Sequence, residues 1–232
     1  MEQILTDVVL VAAGQSSRMG CPKLWLELEG LPVLGHSLRL FDGMPEIGRL
    51  VVVARTEDIP RIVSLAKQQG ITHPLTVVEG GSTRQQSVAA GVHSLLDSQA
   101  PLLAIHDGAR PLVTSELTRR VIDAALTYGA AAPAVMLKDT VKQVDDFGFV
   151  CATPKRRMLR AVQTPQIFDA ALYRRALQAA SDSGQDYTDD CQLAEACGMR
   201  VRLVEGDERN IKITTPPDMC LARFFLEEGK TT

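Results

Sequence analysis

The stretch "DVVLVAAGQSSRMGCPKLWLE", Asp7 to Glu27, decides how the rest of the chain is read. It begins as an apolar, β-branched run of strand length, Val8–Ala12, with no polar alternation. Such continuity suits a strand buried on both faces, as in a parallel sheet. The run then breaks into small residues, Ala12, Ala13, Gly14, Ser16, Ser17 and Gly20, and the same loop carries Arg18 and Lys23. A turn leaving such a strand exposes backbone N–H groups, and small side chains let a phosphate reach them. The loop is not a P-loop, because Cys21 and Pro22 interrupt it and Pro22 has no N–H to offer. It is not G-x-G-x-x-G either, since Gly14 and Gly20 stand too far apart. A long loop with two cations suits a triphosphate; the plainer alternative is a βα turn with exposed charges.

Outward from this loop, short apolar runs alternate with helical periodicity. Strands are expected at Leu50–Ala54, Leu75–Val78, Leu102–Ile105 and Ala131–Val135. Helices are expected at Pro32–Phe41, Ile59–Gln69, Gln85–Leu96 and Glu116–Tyr128. This order predicts an α/β fold: a mostly parallel sheet covered by helices on both faces, with ligands outside the carboxyl ends of the strands. The rhythm breaks at "KDTVKQVDDFGFVCATP" (Lys138–Pro154), where two short β-prone pieces flank the turn-forming Asp145–Gly148 cluster. We read this as a projecting hairpin. A two-stranded hairpin is marginal alone, so a second subunit is expected to cover it. Helices near Asp169–Ala180 and Asp189–Cys197, strands at Val201–Val204 and Ile211–Ile213, and a helix at Pro217–Leu226 complete the reading, as one domain over 1–232 with the arm at about 138–160.

Of the 232 residues, 45% are hydrophobic and 23% charged, with a net charge of −3. This excludes no ordinary globular function, but it gives no global attraction to nucleic acid or an anionic membrane. Any anionic ligand must be held by local cations. The five cysteines are odd in number and lack CxxC spacing, which argues against a disulfide framework and a zinc site and for free thiols in a reducing compartment. Glu2 and Asp7 disagree with a secretory signal, and no apolar run approaches the roughly 18–20 residues that span a bilayer. A cytoplasmic protein is expected.

The motifs then narrow the class. "AAGQSSRMGCPK" resembles the signature loop of nucleotidyltransferases that join a nucleoside triphosphate to a phosphorylated partner, with Ser16 where many members have glycine. "SSRMG" is also similar to molybdopterin cytidylyltransferases. "GGSTRQQSV" (Gly80–Val88), "HDGARP" (His106–Pro111), "KDTVK" (Lys138–Lys142), "TPQIF" (Thr164–Phe168), "YTDD" (Tyr187–Asp190) and "NIKIT" (Asn210–Thr214) follow in order. That set resembles the 2-C-methyl-D-erythritol 4-phosphate cytidylyltransferase family from Val8 to Phe225. Gly108 replaces an alanine found in many members, a change expected to matter little.

The resemblance implies a Rossmann-like domain, dimeric through exchanged β-arms, that uses CTP and Mg²⁺, releases pyrophosphate and transfers CMP to methylerythritol phosphate. It implies that Arg18 and Lys23 grip the triphosphate, and that backbone from Ala12, Ala13 and Gly14 lines the base and phosphates. It further implies that Gly81, Arg84 and Ser87 read the cytosine, that Asp107 lies near the ribose and metal, and that Lys212 reaches the α-phosphate. Thr140 and Arg156, from the partner's arm, would hold the acceptor phosphate together with Arg110, Thr164 and Thr188.

These residue types suit a reaction between two polyanions, where the protein mainly positions groups and stabilises charge. Plainer readings remain beside them. His106-Asp107 would also end a strand, Thr188-Asp189 would cap a helix, Lys155-Arg156-Arg157 would be a solvated run, and Lys212 would be an edge-strand lysine. Three other functions stay open: a ribitol-5-phosphate cytidylyltransferase, which shares much of the motif set; a nucleotide-binding regulatory module without turnover; and a Rossmann oxidoreductase. The last lacks G-x-G-x-x-G and has Arg55 and Thr56 where a ribose-binding acid would stand.

Overall fold

A computed structural model of the chain describes residues 5–14 and 19–231. Its strands are β1 (Thr6–Val11), β2 (Glu27–Leu28), β3 (Leu31–Pro32), β4 (Ile47–Ala54), β5 (Leu75–Glu79), β6 (Leu102–Asp107), β7 (Ala130–Met136), β8 (Gln143–Val144), β9 (Val150–Ala152), β10 (Arg160–Val162), β11 (Gln166–Asp169) and β12 (Arg202–Glu205). The helices are α1 (Val33–Asp42), α2 (Ile59–Gln69), α3 (Arg84–His93), α4 (Ser115–Tyr128), α5 (Ala170–Ser183), α6 (Asp190–Ala196) and α7 (Pro216–Thr231).

The main sheet runs β10-β7-β11-β6-β1-β4-β5, with β12 also on β7. Strands β5, β4, β1 and β6 are mutually parallel. The sheet is mixed rather than purely parallel, because β11 lies antiparallel to both β6 and β7, and β10 antiparallel to β7. Sequence periodicity gave no sign of these two short strands. The β1 strand divides the sheet faces by its pleat: Val8 and Leu10 point to one side and Val9 to the other. The first side buries Leu38 and Phe41 of α1, Ile62 of α2, Val121 of α4 and Ala222 of α7. The other buries Val88 and Val92 of α3, Leu177 of α5 and Leu193 of α6. Each such side chain contributes about 1.5–3 kcal/mol on full burial. This three-layer packing is why the strand sequences are apolar without alternation.

Local signals set the helix ends. The Thr83 and Thr114 side chains accept from Gln86 and Leu117 N–H at the starts of α3 and α4. Gly70 ends α2 in the left-handed region at φ +65°, where a Cβ would be strained.

The expected hairpin is present as β8 and β9, a separate two-stranded sheet. Asp145 Oδ1 accepts from the N–H groups of Phe147 and Phe149 at 3.0 and 2.9 Å and closes its turn. The strand expected at Ile211–Ile213 is absent. The backbone there bonds to the loop after β6 instead: Ile213 N–H donates to Ala109 O at 2.8 Å. No helix among the described residues is long and apolar enough to cross a membrane, and all five cysteines are free.

Candidate active site

A cleft of about 570 Å³ opens at the carboxyl ends of β1, β4, β5 and β6. Parallel pairing brings these ends level: Val11 sits beside Val53 and Asp107, and Ala54 beside Glu79. The neighbours of β1 lie on opposite sides, so the cleft occupies the switch point of the sheet, where α/β folds bind ligands. Ala12, Ala13 and Gly14 line it from β1, Arg55 to Glu57 from β4, Glu79 to Arg84 from β5, and Asp107 and Ala109 from β6. Lys23, Ser87 and Lys212 complete the wall.

Close packing explains the small residues. A Cβ on Gly80 would fall 2.6 Å from Ala13 Cβ, and one on Gly81 would fall 2.3 Å from Gln86 Cβ. A Cβ on Gly108 would sit 2.9 Å from Leu34 Cδ1 and 3.3 Å from Val11 O. Alanine there would require buried Leu34 to move, so the exchange is less innocent than the sequence implied.

Asp107 is the electrostatic centre. Lys212 Nζ lies 2.9 Å from Oδ2, Arg110 Nε 3.5 Å from Oδ2, and Arg84 Nη2 3.8 Å from Oδ1. Burial alone would raise its pKa, but Lys212, Arg84 and Arg110 outweigh that and hold the carboxyl far below the usual range. The Asp107 N–H donates to Thr164 Oγ1 at 3.0 Å, and that oxygen lies 3.0 Å from His106 Nδ1. His106 Nε2 lies 3.3 Å from the Arg110 carbonyl. These contacts fit a neutral imidazole protonated at Nε2, accepting from the threonine hydroxyl. Burial pushes the His106 pKa down to about 4 against the opposing pull of Asp107.

The segment that carries Lys212 is bolted to this floor. Arg110 Nη1 donates to Asn210 O at 2.7 Å, and Asn210 Nδ2 donates to Thr164 O at 2.9 Å. Gln163 Nε2 adds a bond to Asp207 O at 2.8 Å. A buried asparagine therefore does what the expected strand would have done.

The turn that carries Lys23 is held from the other direction. Lys23–Trp25 forms one 3₁₀ turn with Leu24 buried. Trp25 Nε1 donates to Asp58 Oδ1 at 2.7 Å, while Arg55 Nε and Nη2 donate to Asp58 Oδ2 at 2.9 and 2.6 Å. The Arg61 guanidinium lies 3.9 Å from the Trp25 ring centroid. Sequence reasoning gave no role to Trp25, Asp58 or Arg61. The carboxyl-end rule pointed at the residues after β4 and was the one signal that marked this corner.

The structure thus gathers Ala12, Ala13, Gly14, Lys23, Gly81, Arg84, Ser87, Asp107 and Lys212 in one cleft. Arg110 and Thr164 lie beneath it as braces. Thr140, Arg156 and Thr188 are exposed and stand outside its lining. Arg156 Nη1 donates to Lys138 O at 2.6 Å at the root of the arm. The Thr188 N–H and hydroxyl both donate to Gln192 Oε1, at 3.0 and 2.9 Å, beside the Asp189 cap. Arg18 and Ser16 lie outside the described residues. Among those described, no group of three His, Cys, Asp or Glu side chains could hold a metal.

A cleft at a switch point, lined by glycine and alanine and bounded by lysines from distant segments, defines a nucleotide-handling α/β enzyme of the nucleotidyltransferase class. The chain belongs to the 2-C-methyl-D-erythritol 4-phosphate cytidylyltransferase family, whose model matches residues 6–228. It is 43% identical over 225 residues to a protein of that name from Caldanaerobacter subterraneus subsp. tengcongensis, covering 96% of this chain and 99% of the relative. It is 45% identical over 222 residues to one from Desulforamulus reducens, covering 94% of each. The solved 4-diphosphocytidyl-2C-methyl-D-erythritol synthase of Anaerococcus prevotii superposes with a TM-score of 0.87 at 32% identity, over 97% of this chain and all of that one (100%).

Proposed function

We infer that this chain transfers CMP from CTP to 2-C-methyl-D-erythritol 4-phosphate, releasing pyrophosphate, as a step of non-mevalonate isoprenoid biosynthesis. The observation that carries the reading is the meeting of Lys23 and Lys212, from opposite ends of the chain, in one cleft of nucleotide size. Family membership along residues 6–228 supports the particular substrates.

In the reaction a phosphate oxygen of the acceptor attacks the α-phosphorus of CTP. A new P–O bond forms, the bond from the α-phosphorus to the bridging oxygen breaks, and pyrophosphate leaves with the electron pair. The attacking phosphate is already ionised, so no general base is needed. This agrees with His106, which is buried, neutral and engaged with Thr164 and Arg110. The barrier is chiefly charge repulsion, which fixed cations reduce. Lys23 is assigned to the triphosphate and Lys212 to the α-phosphate. Lys212 is already held in the cleft by Asp107, 2.9 Å away, and Arg84 and Arg110 balance that carboxylate.

The residues present fit a divalent ion such as Mg²⁺. That ion is commonly held by one or two carboxylates together with substrate phosphates, and Asp107 is an ionised carboxylate in the cleft wall. Asp107 would hold it, and when bound it would supply positive charge that offsets charge developing on the phosphates.

The acceptor side is assigned to Arg156 and Thr140 of a partner's arm, in a homodimer with exchanged arms. Support comes from the arm itself, where Phe147 is 86% and Phe149 72% exposed. Apolar tips on a marginal hairpin call for a covering surface. Five free cysteines fit a reducing, cytoplasmic setting.

The test is pyrophosphate release from CTP with methylerythritol phosphate and with ribitol 5-phosphate in parallel. Preference for the first supports the assignment. Preference for ribitol phosphate overturns the substrate, and CTP binding without release from either acceptor overturns the enzyme.

A further inference from the structure

Behind the cleft lies a buried carboxylate–tyrosine pair with no part in the mechanism above. Asp190 is 3% exposed and Tyr173 is fully buried, 0%. The Tyr173 hydroxyl donates to Asp190 Oδ1 at 2.6 Å, and Asp190 Oδ2 lies 2.7 Å from Arg84 Nη2. Arg84 in turn lies 3.8 Å from Asp107. Tyr173 is itself fixed by stacking on Phe168, with ring centroids 4.5 Å apart.

We propose that Asp190, aimed by Tyr173, is a positioning residue that holds Arg84 in the nucleotide cleft and so sets the affinity for CTP. The proposal rests on the cytidylyltransferase reading given above.

Three observations carry it. First, Asp190 is not needed as a helix cap, because Asp189 already fills that role, its side chain accepting from Gln192 N–H at 2.8 Å. A buried carboxylate with one oxygen on tyrosine and the other on arginine is instead oriented toward the cleft. Second, the same segment is stitched to the start of α3 at further points. Thr83 Oγ1 donates to Asp186 Oδ1 at 3.1 Å, Gln85 Nε2 donates to Gln185 O at 2.9 Å, and Tyr187 N–H donates to Gln85 Oε1 at 2.8 Å. Residues 185–190 thus act as a brace under the loop Gly80–Arg84 that lines the cleft. Third, Arg84 stands between two carboxylates, and the nearer is Asp190. Without that charge the guanidinium would turn to Asp107 and compete with Lys212 for it.

The experiment is a double-mutant cycle read by direct CTP binding in calorimetry, with kcat and KM measured alongside. Asp190→Asn keeps the size and can still accept from Tyr173, but loses the charge. It is expected to raise the Kd for CTP by about tenfold while kcat at saturating CTP changes by less than about threefold, within the range for contacting residues. In an Arg84→Ala background the same change is expected to add nothing. Tyr173→Phe should raise the Kd by about threefold and show the same dependence on Arg84. An unchanged Kd in folded Asp190→Asn, or equal effects with and without Arg84, overturns the proposal. If Asp190→Asn does not fold, the Tyr173→Phe cycle decides by the same criterion. CTP binding without turnover would overturn the reaction and leave this cycle readable; no CTP binding by the unaltered protein would overturn both.

Discussion

The cleft and the arm are built on opposite plans. In the cleft, Lys212 and Arg84 are each held by a second group of the same chain, Lys212 by Asp107 and the Asn210 segment and Arg84 by Asp190. The turn of Lys23 is anchored through Trp25 on Asp58. In the arm, the contacts include the turn on Asp145, the bond from Lys142 Nζ to Thr153 Oγ1 at 2.8 Å, the short ladder of β8 and β9, and at the root the Arg156–Lys138 bond and the Lys138–Glu208 ion pair, both at 2.6 Å, while its large side chains face outward. One region is closed by contacts of its own chain, and the other leaves its large apolar side chains uncovered. On the proposed reading the difference separates the two substrates: the nucleotide side is preorganised within one chain, and the acceptor side is assigned to a second copy.

The largest effect expected from this contrast is on stability. Phe168→Ala, deep under α5, should lower the unfolding free energy by about 3–5 kcal/mol. Phe149→Ala on the arm should change it by no more than about 0.5 kcal/mol at concentrations where the chain is monomeric. Chemical denaturation of both variants checks this, and equal losses would break the comparison.

Catalysis comes next. Lys23→Ala and Lys212→Ala should each lower kcat by about 10²–10³, the usual effect of deleting one donor to a developing charge. Steady-state pyrophosphate release reads the loss. A variant with near-normal kcat would remove that lysine from the site.

Acid should unfold the cleft rather than the arm. The folded pKa of His106 is about 4 against an unfolded value near 6.5. Between those values the unfolded chain binds the extra proton, so stability falls as pH drops through the window, by about 3 kcal/mol in all. Asp107 works in the same direction lower down: its depressed pKa contributes stability that is lost as pH falls below the ordinary carboxylate range. Denaturation curves from pH 7 to 4 should show this slope, and His106→Gln should flatten it. An unchanged slope would mean another group carries the acid sensitivity.

The smallest effect sharpens the arm's role. Arg156→Ala should raise the acceptor KM by about tenfold and leave the KM for CTP unchanged. Mixed with Lys23→Ala subunits it should regain part of the lost activity, because one composite site recovers both groups. No rescue in verified heterodimers would place the acceptor site within one chain.

Much of this was legible in the residues. Continuous apolar runs marked the parallel strands because both faces are buried, and the small-residue loop with Lys23 marked the cleft edge. Helix α2 was read at its observed bounds, since Pro60 and Gly70 punctuate both ends. The rest depended on contacts that no local pattern encodes. Strands β10 and β11 are three and four residues long, too short for a period, and nothing in "RAV" or "QIFD" specifies an antiparallel partner. The Ile211–Ile213 alternation imitated a strand, yet the Ile211 N–H turns back to Arg209 O, the Ile213 N–H goes to Ala109 O, and the neighbourhood is fixed by Asn210. Trp25 and Asp58 meet across 33 residues, and Asp190 had no role of its own in the sequence reading, because its partners Tyr173 and Arg84 are distant in the chain.

The most direct test is a crystal structure with CTP and Mg²⁺ bound. The account predicts the Nζ atoms of Lys23 and Lys212 within about 4 Å of oxygens of the same triphosphate, with Arg84 still on Asp190. A nucleotide seated elsewhere, or touched by only one of the two lysines, would contradict it.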